Sequence, residues 1–326
     1  MTRMEFGGSI TDVPGVRVGH ATDLEGRTGV TVVLFDDAAA GAGLVLGAAA
    51  STRGFESLHP RGISKAVHGV CFSGGSTFGL GTTGGVQRYL REQGRGLRLD
   101  DLVIPLVPTA IIFDLRVGKP GVYPGEQLGY QACTAADVHV AEGNVGAGTG
   151  ALVGKLMGTP TAMAGGVGTA SAYIDGVTMG VLAVVNAFGD VRDPDTGRII
   201  AGARKSPDSL ELLDAAASIH RGVTRKRAPA ADGNTTLALV VTDGALDPAT
   251  CGWTAQMASA GFARAISPVF TQYDGDVVIV LSVGDKPLDL LLAGQMAADL
   301  CAHAIVRGVR AGSPVDGLPC AAALAG

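Results

Sequence analysis

The run Gly233-Asn234-Thr235-Thr236-Leu237-Ala238-Leu239-Val240-Val241-Thr242-Asp243 joins a flexible polar approach to an apolar strand. A hydroxyl residue at such a junction suits a protein that cuts its own backbone between Asn234 and Thr235. The freed Thr235 would carry a nucleophilic hydroxyl and a base, since an α-amine has a reference pKa of about 7.7–8.0. The stretch therefore predicts an amide hydrolase made as an inactive precursor, although an ordinary turn entering a strand fits the same residues.

The composition indicates a globular chain with a large core. Of its 326 residues, 47% are hydrophobic and 17% are charged, which is enough apolar surface for one large domain or two. The 50 glycines and the scarcity of aromatic residues indicate many tight turns and close backbone contacts. Large antiparallel sheets fit this composition.

Charge and residue spacing exclude several classes of function. A net charge of −5 without a basic stripe argues against a nucleic-acid partner. The longest apolar stretch, residues 38–50, is shorter than a membrane helix, and residues 1–8 lack the apolar run of a secretory signal. The histidines show no metal spacing, and the five cysteines are scattered as in reduced proteins. We therefore expect a cytoplasmic protein without metal or membrane contact.

Strand and helix patterns alternate along both halves of the chain. In the second half, Asp247 and Pro248 form the N-cap and first-turn signal of a helix that follows the opening strand. This alternation predicts an α/β fold. The strands are predicted at 66–72, 104–112, 177–185, 236–242 and 276–283, and the helices at 73–93 with a stop at Gly94, 125–136, 247–266 and 288–309.

Residues 201–233 form the least apolar region of the chain and separate the two blocks. Basic residues flank one short helical pattern there, which is typical of a solvated surface connection. The same segment could serve as a tether whose release exposes Thr235. The two interpretations are compatible, so we predict an exposed linker over about 201–233.

A glycine motif suggests a nicotinamide cofactor only when it is taken alone. The run Gly79-Leu80-Gly81-Thr82-Thr83-Gly84 fits G-x-G-x-x-G, and Asp100 follows at a distance suited to a ribose-binding acid. In a dinucleotide-binding fold, however, the first glycine follows the strand directly. Here residues 73–78 intervene, so no cofactor is predicted.

Four motifs together resemble the L-aminopeptidase/D-esterase (DmpA-like) family, peptidase family S58, nearly end to end and in the same order. They are Ile10–His20 (ITDVPGVRVGH), Ser73–Leu80 (SGGSTFGL), Gly143–Gly150 (GNVGAGTG) and Gly233–Thr236 (GNTT). The resemblance implies a four-layer α/β/β/α sandwich of the N-terminal-nucleophile type, distantly similar to ornithine acetyltransferase. It also implies a single self-processing domain over 1–326, cut into an alpha fragment 1–234 and a beta fragment 235–326. A homo-oligomer of processed heterodimers would follow.

The resemblance also implies the roles of five residues. Thr235 matches the nucleophile, Asn186 the amide that stabilises the oxyanion, and Lys155 the basic residue beside the nucleophile. Asp274 and Asp276 match an acidic pair that supports the nucleophile and its amine. Without the resemblance, Asn186 reads as a turn cap, Lys155 as a lysine that reaches solvent, and the two aspartates as a turn before a strand.

The threonine, the lysine and the Asp/Asp pair resemble the branch that hydrolyses 6-aminohexanoate oligomers of nylon more than the serine aminopeptidases. Phe113 departs from that branch, which carries a tyrosine at this position. Its hydroxyl contact is therefore absent, and Tyr123 or Tyr130 are candidates to replace it in the substrate pocket. This departure leaves activity on nylon oligomers open.

Several functions remain compatible with these residues. The leading hypothesis is hydrolysis of short peptides, amino-acid amides or ω-amino-acid oligomers such as 6-aminohexanoate oligomers. Hydrolysis of D- or β-amino substrates by the same mechanism is an alternative. A second alternative is acyl transfer to an amine, as in ornithine acetyltransferase. The mechanism would be the same, and exclusion of water from the site would favour transfer over hydrolysis. A third is an uncleaved binding protein on the same fold.

Overall fold

The computed structural model describes residues 6–62, 66–223 and 233–324. Its strands are β1 Val16–Asp23, β2 Thr28–Val45, β3 Thr52–Arg53, β4 Val67–Ser73, β5 Leu97–Leu99, β6 Leu102–Ile104, β7 Thr109–Ile111, β8 Leu152–Val153, β9 Met163–Ala164, β10 Gly166–Ile174, β11 Val177–Asn186, β12 Asp190–Arg192, β13 Ile199–Ala201, β14 Thr235–Gly244, β15 Ile266–Ser267 and β16 Val277–Lys286. Its α-helices are α1 Thr82–Glu92, α2 Glu126–Thr134, α3 Ala215–His220, α4 Pro248–Ala265 and α5 Leu290–Arg310.

One long bent strand joins the two sheet layers. The first half of β2 pairs with β1 and β4, whereas its second half, Ala40–Val45, pairs antiparallel with β16. The pairing of β2 with β4 is interrupted between Leu34 and Ala39, where the strand changes layer. The strand order of this nine-stranded sheet is β10-β11-β14-β16-β2-β4-β7-β3, with β1 beside β2.

The central strands are buried on both faces, which explains their continuous apolar runs. In β14, Leu237, Leu239 and Val241 belong to the core between the sheets, whereas Ala238 and Val240 face the core under α4 and α5. A third core lies between the other sheet layer and helices α1 and α2. The order is therefore helix, sheet, sheet, helix, and the predicted four-layer α/β/β/α sandwich is confirmed.

Capping residues fix the starts of helices α4 and α5, and a glycine in the sheet lets α5 approach it closely. The side chain of Asp247 accepts a hydrogen bond from the Thr250 N–H, and Asp289 caps α5 in the same way. Helix α5 lies so close to β10 that a Cβ on Gly168 would stand 2.1 Å from the Ala304 carbonyl oxygen. Only glycine fits at this contact, as the high glycine content suggests.

Helix α5 is long and apolar enough to cross a membrane by length and composition, with a mean hydropathy of 1.2 in its most apolar window. In the structure, 61% of that window is buried against β10, β11 and α4. Such burial is typical of a core helix. Within the described ranges, no other helix has that length and hydropathy.

Two predicted boundaries are wrong for identifiable reasons. The strand predicted over 104–112 is divided between β6 and β7, because Pro105 and Pro108 cannot donate to a sheet. The helix predicted from Ser73 begins only at Thr82. A 3₁₀ helix, Ser76–Gly81, precedes it and starts with Ser76 at a φ of 53°.

The predicted linker is not exposed along its whole length. Its first residue, Ala201, ends strand β13, and the segment from Ala201 to Arg204 is buried. Arg204 is held by the backbone carbonyls of Pro160, Pro207 and Ser209. Exposed residues therefore begin at Lys205, and Ala215 and Ser218 of α3 are buried further along the segment. Residues 224–232 of the predicted linker lie outside the described residues.

Candidate active site

The predicted site residues meet where β11 ends and β14 begins. The two strands are antiparallel, and their register places Asn186 directly opposite Thr235. Asn234, the residue before Thr235, forms a parallel bridge with Asp274 in the loop that leads into β16. Residues far apart in sequence therefore converge on the Asn234–Thr235 peptide bond.

Lys155 is 3% exposed and lies in a turn after β8 that is held by a bond from its own N–H to the Phe188 carbonyl. Its Nζ donates to the Asn186 Oδ1 at 2.7 Å, to the Asn186 carbonyl at 3.1 Å and to the Gly233 carbonyl at 3.3 Å. A buried ammonium with several acceptors is well oriented. It lies beside the segment that precedes Thr235.

The amide of Asn186 has a fixed orientation in the uncleaved chain. Its Oδ1 accepts from Lys155 Nζ and from the Leu152 N–H at 3.0 Å, so the Nδ2 group faces the other way. That group donates to the Phe113 carbonyl at 3.2 Å. In this state the amide therefore orients its neighbours rather than donating to the Asn234 carbonyl.

A backbone N–H donates to the carbonyl of the candidate scissile bond. The Gly275 N–H donates to the Asn234 oxygen at 2.7 Å, and the Thr235 Oγ1 lies 2.5 Å from the same oxygen. A Cβ on Gly275 would stand 2.9 Å from that hydroxyl. A donor of this kind stabilises negative charge on a carbonyl oxygen under attack. Sequence reasoning missed Gly275, because a backbone donor leaves no side-chain signal.

Asp274 and Asp276 are both buried, and both accept backbone hydrogen bonds. Asp274 accepts from the Phe188 N–H at 3.1 Å and from the Thr271 hydroxyl at 2.6 Å. Asp276 accepts from the Thr236 N–H at 2.6 Å, which fixes the first residues of β14. Burial raises the pKa of Asp274 above its ordinary value. Burial, and then the neighbouring Asp274, raise the pKa of Asp276 further.

Asp114 is a third buried carboxylate that the sequence reasoning did not single out. It accepts from the Thr28 hydroxyl and the Gly75 N–H, each at 2.6 Å. Its pKa is raised to about 6 because it is buried. A Cβ on Gly74 would collide with its carboxylate, so the glycines of the Ser73–Leu80 motif make room for Asp114. The glycines of that motif were visible in the sequence, but the carboxylate that they accommodate comes from a distant segment of the chain.

The three predicted pocket aromatics have different positions. Phe113 packs against Gly233. A Cβ added to Gly233 would stand 2.6 Å from the Cβ of Phe113. Tyr123 stacks on Phe78 with the ring centroids 4.7 Å apart, and both rings are exposed. Tyr130 donates to Glu92 at 2.7 Å. Only Phe113 joins the cluster, and the Tyr130 hydroxyl is engaged on helix α1.

A small cleft opens at this cluster. Its walls include Phe113, Asp114, Lys155, Asn186 and Gly233. A larger open groove lies near the C-terminal segment, but none of the five predicted catalytic residues lines it. The chemical groups of the site therefore lie at the smaller cavity, not at the larger one. Among the described residues, no cluster of histidine, cysteine and acidic side chains could hold a metal ion.

Several proteins of known sequence are similar to this chain over most of its length. An uncharacterized aminopeptidase of Mycobacterium tuberculosis (strain ATCC 25618 / H37Rv) is 40% identical and spans 95% of this chain and 96% of its own. A 6-aminohexanoate-oligomer endohydrolase of Kocuria sp. (strain KY2) is 28% identical and spans 85% of this chain and 75% of its own. The relatives thus include both enzyme types that the motifs suggest.

Two solved structures share the fold. The L-aminopeptidase D-Ala-esterase/amidase of Ochrobactrum anthropi, described as a variant of the Ntn hydrolase fold, superposes with a TM-score of 0.73 at 19% identity, covering 96% of this chain and 89% of that one. A β-aminopeptidase of Burkholderia sp. superposes with a TM-score of 0.69 at 21% identity and the same coverage of 96% and 89%. The family model described as Peptidase family S58 matches residues 8–320. The chain therefore belongs to Peptidase family S58 and is a peptide-bond hydrolase.

Proposed function

We propose that this hydrolase activates itself by cutting the bond between Asn234 and Thr235, and that Thr235 is then its nucleophile. The arrangement around that one bond carries the proposal. The Asn234 carbonyl accepts from the Gly275 N–H, the Thr235 hydroxyl lies beside it, and Lys155 binds the Gly233 carbonyl. Donors on two successive carbonyls hold the peptide in place for attack.

Self-cleavage would proceed through an ester. The Thr235 Oγ attacks the Asn234 carbonyl carbon, and the hydroxyl proton passes to the Thr235 nitrogen as the C–N bond breaks. Water then hydrolyses the ester, which leaves a carboxylate on Asn234 and both a hydroxyl and an α-amine on Thr235. The buried Lys155, Asp274 and Asp276 are the groups near this bond that can position the proton.

Turnover would use the same atoms on an external amide. The α-amine of Thr235 takes the proton from its Oγ as the hydroxyl attacks the substrate carbonyl, and returns it to the leaving amine. Water then releases the acid from the acyl-threonine. Asn186 Nδ2 carries two N–H donors, so one can keep its bond to the Phe113 carbonyl while the other donates to the oxyanion. Asn186 is therefore the side-chain donor proposed for turnover, whereas the Gly275 N–H already donates to the Asn234 carbonyl in the uncleaved chain.

The substrates we propose are short peptides, amino-acid amides or ω-amino-acid oligomers. The names of the relatives, an aminopeptidase and an endohydrolase of 6-aminohexanoate oligomers, support this range. The narrow cleft beside Phe113 and Gly233 suits unbranched or small acyl groups. Assembly as a homo-oligomer and a cytoplasmic location stay predictions.

A substrate panel with and without an added amine tests the proposal. The purified protein is incubated with aminoacyl amides, β-peptides and 6-aminohexanoate oligomers, and the products are separated. We expect free acids whether or not the amine is present, and no turnover by Thr235→Ala. A new amide as the main product would indicate acyl transfer instead. Turnover by Thr235→Ala would eliminate the proposed nucleophile.

A further inference from the structure

In the uncleaved chain, the residues before the proposed cut lie where the acyl group of a substrate would lie. If the cut falls after Asn234, as proposed above, the atoms of Gly233 and Asn234 occupy the positions that the acyl half of a substrate takes during attack by Thr235. Asn234 is 1% exposed and is therefore surrounded by the walls of the future subsite. Its contacts consequently describe which acyl groups the subsite accepts.

The Asn234 side chain reaches a backbone acceptor. Its Nδ2 donates to the Tyr273 carbonyl at 3.0 Å. The ring of Tyr273 packs on Phe188, with the ring centroids 5.3 Å apart, which fixes this part of the loop before β16. A nitrogen that lies where Nδ2 lies would therefore find an oriented acceptor.

The path to Gly233 is narrow. A side chain at that position would collide with Phe113, because a Cβ would stand 2.6 Å from the Phe113 Cβ. Lys155 holds the Gly233 carbonyl from another direction. The cleft therefore leaves no room for a side chain on the residue that precedes the acyl residue.

The charges around the subsite favour a cation. Three buried carboxylates, Asp114, Asp274 and Asp276, lie within electrostatic reach of Lys155, the buried ammonium described above. Cleavage adds the α-amine of Thr235 as one further basic group. Burial raises the pKa of all three carboxyl groups, and an ammonium placed beside them would favour their ionised forms and be stabilised in return.

We propose that the subsite occupied by the Asn234 side chain selects acyl groups with a terminal ammonium, and that 4-aminobutanoyl groups fit it best. In asparagine the path from the carbonyl carbon through Cα, Cβ and Cγ to Nδ2 has the same number of bonds as the path from carbonyl to amine in 4-aminobutanoyl. A β-alanyl group is one carbon too short to reach the Tyr273 carbonyl. A 6-aminohexanoyl group is two carbons too long for the same contact.

The test compares acyl groups on one leaving group, with the self-cleaved wild-type protein. The substrates are butanoyl-, β-alanyl-, 4-aminobutanoyl- and 6-aminohexanoyl-phenylalanine, and released phenylalanine is measured. We expect kcat/KM for 4-aminobutanoyl to exceed that for butanoyl, its control without the amine, by about 10- to 100-fold, as a hydrogen bond from a charged donor implies. We also expect it to exceed β-alanyl and 6-aminohexanoyl by about tenfold. Equal values for butanoyl and 4-aminobutanoyl, or a preference for either other length, overturn the proposal.

The self-cleavage rate gives a second measurement that needs no substrate. Asn234→Ala and Asn234→Asp both remove the donor to Tyr273, but only the aspartate adds negative charge beside the acidic pair. We expect Asn234→Asp to cleave about tenfold more slowly than Asn234→Ala, with circular dichroism spectra that match the wild type. Equal rates contradict the charge argument. A wild-type chain that never cleaves would instead remove the proposed function itself.

Discussion

Strand β14 has two parts that follow different rules. From Leu237 to Val241 its side chains alternate between two apolar cores, and each residue is fully buried. At its start, Asn234, Thr235 and Thr236 are just as buried but are surrounded by amides, carboxylates and an ammonium. The apolar part is specified by alternation within the strand, and the polar part by residues from four distant segments. Burial therefore stabilises the fold in the apolar part of β14, whereas at its start burial surrounds polar groups that hydrogen bonds hold in fixed positions.

Replacement of Lys155 should have the largest effect on the polar part. Lys155→Met keeps the length of the side chain but removes the bonds from Nζ to Asn186 and to the Gly233 carbonyl. We expect self-cleavage and turnover to slow by about 10²–10⁴-fold, the range of general acid–base catalysis. The measurement is the intact mass over time, followed by turnover. Lys205→Met makes the same change on the exposed pair with Glu211 and should leave both rates unchanged. Similar rates for Lys155→Met and the wild type would remove Lys155 from the mechanism.

A methyl group beside the nucleophile tests how tightly this region is packed. In Gly275→Ala the new Cβ meets the Thr235 Oγ1 and the Ala49 carbonyl, each at 2.9 Å. We expect a loss of about 1–3 kcal/mol in the free energy of unfolding and self-cleavage at least about tenfold slower. Gly252→Ala is the matched control, since its nearest atom is 3.8 Å away. If both variants cleave at the wild-type rate, Gly275 does not position the hydroxyl.

The buried carboxylate Asp114 should make stability depend on pH. Its pKa is raised from 3.8 to about 6, so the folded chain binds its proton more tightly than the unfolded chain. This group therefore stabilises the fold at low pH, and its contribution falls by about 3 kcal/mol as the pH rises from 3.8 to about 6. Asp114→Asn should remove that part of the decline in urea unfolding. Parallel pH profiles for the variant and the wild type would refute the assignment.

The helix cap in the outer layer should have the smallest effect. Asp247→Ala removes the acceptor for the Thr250 N–H at the start of α4 and should cost about 1 kcal/mol in the free energy of unfolding. Asp247→Asn retains a capping oxygen and should cost much less. Neither variant should alter the self-cleavage rate, because α4 packs on the outer face of the sheet. A slower cleavage in Asp247→Ala would show that the two parts of the molecule are coupled.

The sequence predicted the apolar framework well because its signals are local. Strand β14, predicted from Thr236 and observed from Thr235, the Asp247 cap and helix α5 each follow from a few neighbouring residues. The prolines at 105 and 108 misled the prediction of one strand, since its apolar run hides a break in the hydrogen bonding. The resemblance to a family predicted the fold class, which the layers and the solved structures confirm.

The site could be predicted only in part. The resemblance named Thr235, Asn186 and Lys155, but their convergence depends on the pairing of β11 with β14, which no local pattern encodes. The donor from Gly275 is a backbone N–H, and Asp114 gains its importance from a glycine loop that wraps around it. Phe113 was singled out through the resemblance alone, but the structure was needed to place the aromatic ring beside Gly233.

The intact mass of the purified protein tests the central claim most directly. The wild-type chain and Thr235→Ala are expressed in parallel and weighed under denaturing conditions, with Thr236→Val as a neighbour that keeps its N–H bond to Asp276. The account predicts fragments of 234 and 92 residues from the wild type and from Thr236→Val. It predicts one uncut chain of 326 residues from Thr235→Ala. An uncut wild-type chain, or the same cut in Thr235→Ala, would contradict it.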